Sequence, residues 1–86
     1  MRLPANVRRG AAFLDEHVPG WRDEVEPSSL DLGDTCRCVL GQTFGSYANG
    51  ITLLRLSDRD ASRLGFNTWG RQTFRSLTEA WRRVIS

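Results

Sequence analysis

GDTCRCVLGQTFGSY, residues 33–47, is the stretch whose reading decides how this chain folds. It holds Cys36 and Cys38, two glycines four apart, and a run of large apolar side chains. Cys36, Leu40, Phe44 and Tyr47 step by four, four and three, the spacing of one helical face. Asp34 or Thr35 can cap its start, and Asn49-Gly50 is a stop signal. The pattern predicts a buried helix over 35–49, a spine with the other helices packed around it. Gly41 and Gly45 each cost about 1 kcal/mol relative to Ala inside a helix. Four apart, they share a face and leave a shallow groove. Another backbone, or Trp21, Trp69 or Trp81, can lie in it.

The two thiols invite a metal or redox reading, and the spacing argues against both. One residue between them sets Cys36 and Cys38 about 200° apart on a helix, so they cannot grip one ion together. A structural zinc site wants four ligands, usually in C-x₂₋₄-C knuckles, and His17 is the only imidazole. A thiolate near a helix N-terminus beside Arg37 has a lowered pKa. Nucleophilic catalysis also needs a positioned base, and no spacing ties His17 to the thiols. The reading is of Cys36 as a small buried hydrophobe and Cys38 toward the surface.

Outward from this segment, the chain reads as four short helices with irregular connectors. The first runs from about Asn6, a plausible N-cap, to His17. Val7, Ala11, Leu14 and Val18 form its apolar stripe and Pro19-Gly20 stops it. Trp21 and Val25 add one turn before Pro27. SSLDLGD reads as an extended connector pinned by Leu30 and Leu32, and ITLLRL (51–56) as an irregular buried connector. Ser57 and Asp60 resemble a capping box for the third helix. Gly65 suits the left-handed position after it, with Phe66 folding back on Ala61. Ser76 and Glu79 read as a second capping box, opening a fourth helix with Leu77, Trp81, Val84 and Ile85 on its apolar face.

The 86 residues make one small domain, long enough to bury only about 60–65% of its unfolded surface. No apolar run is long enough to span a membrane, and MRLPANVRRG lacks the apolar region of a secretory signal, so the expected location is cytoplasmic. All twelve basic residues are Arg, which fits a GC-rich genome. Residues 1–34 carry net charge −3 and residues 35–86 net charge +5, a polarity that can mark an interaction face.

Enzyme chemistry finds no support. There is no Lys for a phosphate-binding loop, and the glycines of GQTFGSYANG match no nucleotide fingerprint. Asp15-Glu16 and Asp23-Glu24 are adjacent pairs that diverge on a helix. The expectation is no catalytic residue, no cofactor and no metal. Residues 58–85 hold a helix, a Gly-containing turn and an Arg-bearing helix, which leaves a helix-turn-helix or excisionase-like DNA regulator as the alternative. In that reading Arg71, Arg75, Arg82 and Arg83 would meet phosphates, with Gln72 or Thr73 near base edges. A true motif needs a three- to four-residue turn, and about ten residues separate Gly65 from the fourth helix. Protein binding suits the Trp and Arg content better. Trp69, Arg71, Arg75 and Arg82 are the expected contacts, with Trp69 as a core plug the competing reading.

LDL (30–32), CVLGQTFGSY (38–47), LGF (64–66) and LTEAW (77–81) together resemble a family of small proteins of phages and prophages of Gram-positive hosts, actinobacteriophages among them. The resemblance spans about Phe13 to Ile85. It implies a small accessory protein in the cytoplasm of an infected or lysogenic host, acting on a host or phage protein. It carries over no catalytic or binding residue. Members that resemble this chain place acidic side chains where it has C-terminal Arg, which weakens the nucleic-acid reading. The expected fold is mainly α, a single small compact domain.

Overall fold

The computed structural model describes residues 3–85. The chain is mainly α. Its helices are α1 (Ala5–His17), α2 (Trp21–Glu24), α3 (Val39–Phe44), α4 (Tyr47–Leu54), α5 (Asp58–Arg63) and α6 (Phe74–Ile85), with a 3₁₀ turn at Pro27–Ser29. Among the described residues there is no strand. α1 packs on α5 and α6, α2 on α3, and α3 on α4.

The predicted spine over 35–49 is two helices, not one. Asp34 takes the start away: its Oδ1 accepts the N–H groups of Cys36 (2.8 Å) and Arg37 (3.0 Å), holding 34–37 in a tight turn. Cys38 then caps α3, its Sγ accepting from the Gly41 N–H at 3.2 Å. Gly45, at φ 93°, ends α3. Ser46 caps α4 through the Asn49 N–H at 3.0 Å, so the chain doubles back as a helical hairpin. The predicted groove is half right. A Cβ on Gly41 would sit 2.5 Å from the Thr35 carbonyl oxygen, so backbone does approach there, whereas Gly45 faces open space. No Trp enters.

The cysteines are reversed from the expectation. Cys36 is exposed and Cys38 is buried. Starting the helix at residue 39 instead of 35 rotates the stripe, bringing Val39 and Leu40 into the core beside Cys38.

The 51–56 segment is the other misreading: Ile51 to Leu54 lie in α4. The Ser46 cap starts a helix in which apolar residues need no strand partner. α4 ends at Arg55, the only non-glycine among the described residues at positive φ (58°). The Arg55 N–H bonds to Thr52 O (3.2 Å) and the Leu56 N–H to Ile51 O (3.0 Å), the Schellman pattern. α5 is as expected. The Ser57/Asp60 capping box is complete, and Phe66 N–H reaches Ala61 O at 2.9 Å past Gly65 at φ 74°.

Helix starts are displaced elsewhere. Asn6 is no cap. α1 begins one residue earlier after Pro4, and Asn6 is buried at 5% exposure. α6 opens before Ser76. Thr73 N–H donates to Ser76 Oγ (3.2 Å) while Ser76 N–H donates to Thr73 Oγ1 (3.0 Å), a reciprocal cap one turn upstream. Glu79 instead lies 4.0 Å from Arg75.

The hub is aromatic. Trp81 of α6 stacks on Phe66 and meets Trp21 edge-on, both with centroids 5.7 Å apart. Each indole N–H is satisfied: Trp81 donates to Gly65 O at 2.6 Å, Trp21 to Asp15 Oδ1 at 2.8 Å. Val7, Leu14, Leu30, Leu40 and Leu77 complete the core around them, each worth roughly 1.5–3 kcal/mol when buried. Leu30 and Leu32 pin the connector as expected, with Leu32 N–H donating to Thr78 Oγ1 at 2.9 Å. Among the described residues no helix is long and apolar enough to cross a membrane.

Candidate functional site

Residues 69–75 join α5 to α6 and present what a partner can grip. Trp69 is half-exposed at 50% and Phe74 is 44% exposed. Trp69 therefore does not plug the core. Its backbone is nonetheless held: the Trp69 N–H donates to Gln72 Oε1 at 2.9 Å, and Gly70 turns the chain at φ 63°. Gln72 is tied in turn to Asn6, accepting from its Nδ2 (2.8 Å) and donating to its Oδ1 (2.9 Å). The loop is thus bolted to α1, and the indole stands out from a fixed base. The Gln72 amide is engaged in these bonds, and the Thr73 hydroxyl accepts the Ser76 N–H in the α6 cap.

Arg71 and Arg75 are both exposed. Arg71 has no ion pair among the described residues, and Arg75 stands 4.0 Å from Glu79. Arg82 is differently placed. Its Nε donates to Pro27 O at 2.9 Å and its Nη2 to Leu30 O at 3.2 Å, so the guanidinium fastens α6 to the 27–30 turn. Arg75 and Arg82 line one polar cleft of about 430 Å³ together with Arg37. Trp69 and Arg71 are not part of its lining. The four expected contacts therefore divide into a Trp69–Arg71 loop and an Arg75–Arg82 cleft.

Two residues of this surface escaped the sequence reading. Phe74 was given no role by the sequence. Thr73-x-x-Ser76 was the available signal, since that cap puts Phe74 on the first turn. Arg37 comes to the cleft only through the fold, and its Nη2 pairs with Asp34 at 3.3 Å.

The thiol region holds a smaller cleft of about 130 Å³, lined by Cys38, Tyr47, Phe66 and Phe74 among others. Burial pushes the Cys38 thiol up, away from the thiolate a nucleophile needs. Burial also raises the Tyr47 phenol, and the Asn67 side chain beside it pulls weakly the other way. The phenol oxygen is buried without a well-formed hydrogen bond among the described residues. No group of three or more His, Cys, Asp or Glu among the described residues is arranged to hold a metal ion.

Comparison with protein-family models, with curated proteins and with solved structures finds no match to this chain.

Proposed function

We propose that this chain is a non-enzymatic accessory protein that binds a partner protein through the Trp69–Arg75 segment. One observation carries the reading: Trp69 is half-exposed on a backbone locked by Gln72 and Asn6. An exposed aromatic on a backbone already fixed has only its own side-chain rotations left to lose on binding, which suits an interface anchor. Arg71 stands exposed in the same loop, and Phe74 and Arg75 carry the exposed surface on into the first turn of α6. Arg82 supports this surface by fixing α6 in place. The CVLGQ, LGF and LTEAW pattern adds the setting, a phage or prophage product acting on a host or phage protein.

The test is affinity capture from lysate of a GC-rich Gram-positive host, with nuclease added. Wild-type chain is compared with Trp69→Ala and with Arg71→Ala/Arg75→Ala. The reading requires a protein retained by wild type and lost from both variants. Retention on both, or loss of the captured material to nuclease, would remove it. For nucleic acid, affinity for random duplex would fall with salt at a log–log slope of about −0.9 per neutralised phosphate.

A further inference from the structure

We propose that the groove between α1, α4 and α5 is a second docking surface, one that takes an acidic protein segment carrying an apolar anchor. It does not use the Trp69 loop, so it stands or falls separately from the function above.

The groove has an apolar floor and a basic rim. Phe13, Leu54, Leu56 and Leu64 line it, all half-buried, and its volume is about 380 Å³. That is within the ordinary range of binding clefts, about 300–1,000 Å³. The rim is Arg9, Arg55 and Arg63, against one carboxylate, Asp60. Asp60 is already engaged, since its Oδ2 accepts the Ser57 N–H at 3.1 Å in the α5 cap. Arg9 Nε donates to the Arg63 carbonyl at 3.0 Å, which fixes its guanidinium at the rim and leaves its terminal nitrogens to an incoming carboxylate. Three guanidinium groups over four apolar side chains are complementary to Asp or Glu flanking a Leu or Phe.

The surroundings extend the same surface. Residues 47–54 of α4 carry no charged side chain, and Leu53 is 60% exposed beside Leu54. Arg55 sits at φ 58°, where glycine is the cheap choice at a helix end. A cation there carries a conformational cost, and it lines the groove. A phosphate backbone is the poorer occupant, because it gains nothing from four aliphatic and aromatic side chains and the floor lacks a stacking platform beyond Phe13.

The experiment is selection of a displayed random library of short peptides on the full chain, at physiological salt. The expected pool is enriched in Asp and Glu around a bulky apolar residue. A synthetic peptide from that pool should bind Arg55→Gly and Arg63→Gln chains roughly tenfold more weakly, while Trp69→Ala leaves its affinity unchanged. Circular dichroism on each variant confirms the fold, and two independent variants guard against loss of structure in one. A pool without acidic enrichment, no enriched pool, or affinity unmoved by both Arg substitutions would overturn the proposal. So would competition of the peptide by random duplex DNA or by anionic lipid vesicles at lower concentration than by a second acidic peptide. Failure here with loss of partner capture in Trp69→Ala would leave the function above standing, and the converse result would leave only this groove.

Discussion

Asn6 and Gln72, 66 residues apart, exchange two hydrogen bonds through their side-chain amides, at 2.8 and 2.9 Å. Asn6 Nδ2 also donates to the Ser62 carbonyl at 3.2 Å, so one buried amide joins α1, α5 and the Trp69 loop. Removing Gln72 leaves Asn6 its bonds to the Ser62 carbonyl and the Val7 N–H but takes away both amide–amide bonds, at about 0.5–1.5 kcal/mol each, or about 1–3 kcal/mol together. Gln72→Ala should therefore lower stability by that amount in urea titration, and free the Trp69 N–H. Hydrogen exchange at the Trp69 amide, read by NMR on the otherwise unchanged chain, should quicken. A Gln72→Ala chain as stable as wild type would contradict this role.

Gly10 is where α1 touches the end of α5. A Cβ there would fall on the Leu64 carbonyl oxygen, at 1.8 Å, which is backbone and cannot swing aside. On an open helix face Gly→Ala gains about 1 kcal/mol. Here the sign reverses, and Gly10→Ala should destabilise by about 1–3 kcal/mol, the range of overpacked cores. Thermal unfolding reads it directly, at roughly 4–8 °C per kcal/mol for a chain of this size.

The thiols separate the core from the surface. Cys36 is exposed and Cys38 is 2% exposed with its pKa raised by burial. One thiol per chain should react promptly with a soluble disulfide reagent under native conditions, the second only on unfolding. Cys36→Ser should abolish the fast phase and leave stability nearly unchanged. Cys38→Ser should leave the fast phase intact and lower stability, because the α3 cap sits in an apolar pocket.

The helical class and the ends of α5 were legible because those signals are local. Ser57/Asp60 and Gly65-Phe66 each satisfy orphan backbone groups within six residues, and no tertiary contact has to agree. The break at Gly45 was not. Cys36, Leu40, Phe44 and Tyr47 keep helical spacing across it, so periodicity alone reads one helix. What divides it is competition for donors: Asp34 captures two N–H groups and Ser46 a third. Asn6 failed as a cap for the opposite reason. Its side chain has long-range partners in Ser62 and Gln72 that no neighbour in sequence announces. The candidate site was legible as residue types, Trp69 with Arg71 and Arg75. The diversion of Arg82 onto Pro27 and Leu30 depends on where α6 lands.

Acid should loosen the fold through its caps and turns. The Ser57 N–H holds Asp60 below its ordinary 3.8, the Trp21 indole does so for Asp15, and the Cys36 N–H for Asp34; the Ser28 N–H holds Glu26 below 4.5. A carboxylate lowered in the folded state binds its proton more weakly than in the unfolded chain. Its contribution is therefore complete above the unfolded value and is lost as pH falls through the folded one. Stability should be level near neutrality and decline below about pH 4. Asp60→Asn should lower the plateau slightly and make the acid decline shallower. A decline of unchanged steepness in that variant would assign the acid sensitivity elsewhere.

Arg55 sets stability against recognition. An Arg at φ 58° carries a backbone penalty of about 1 kcal/mol that glycine does not. The Schellman bonds past it come from backbone N–H groups, so Arg55→Gly keeps them. The greater freedom of glycine in the unfolded chain returns part of the gain. The net expectation is a chain more stable by up to about 0.5–1 kcal/mol, measured by urea titration. The same variant should hold acidic peptides more weakly, because a third of the cationic rim is gone while Arg9 and Arg63 stay. Higher stability with weaker binding identifies a residue kept for what it contacts and not for how it folds. Lower stability in Arg55→Gly would mean that the Arg55 side chain already has a structural use in the folded chain.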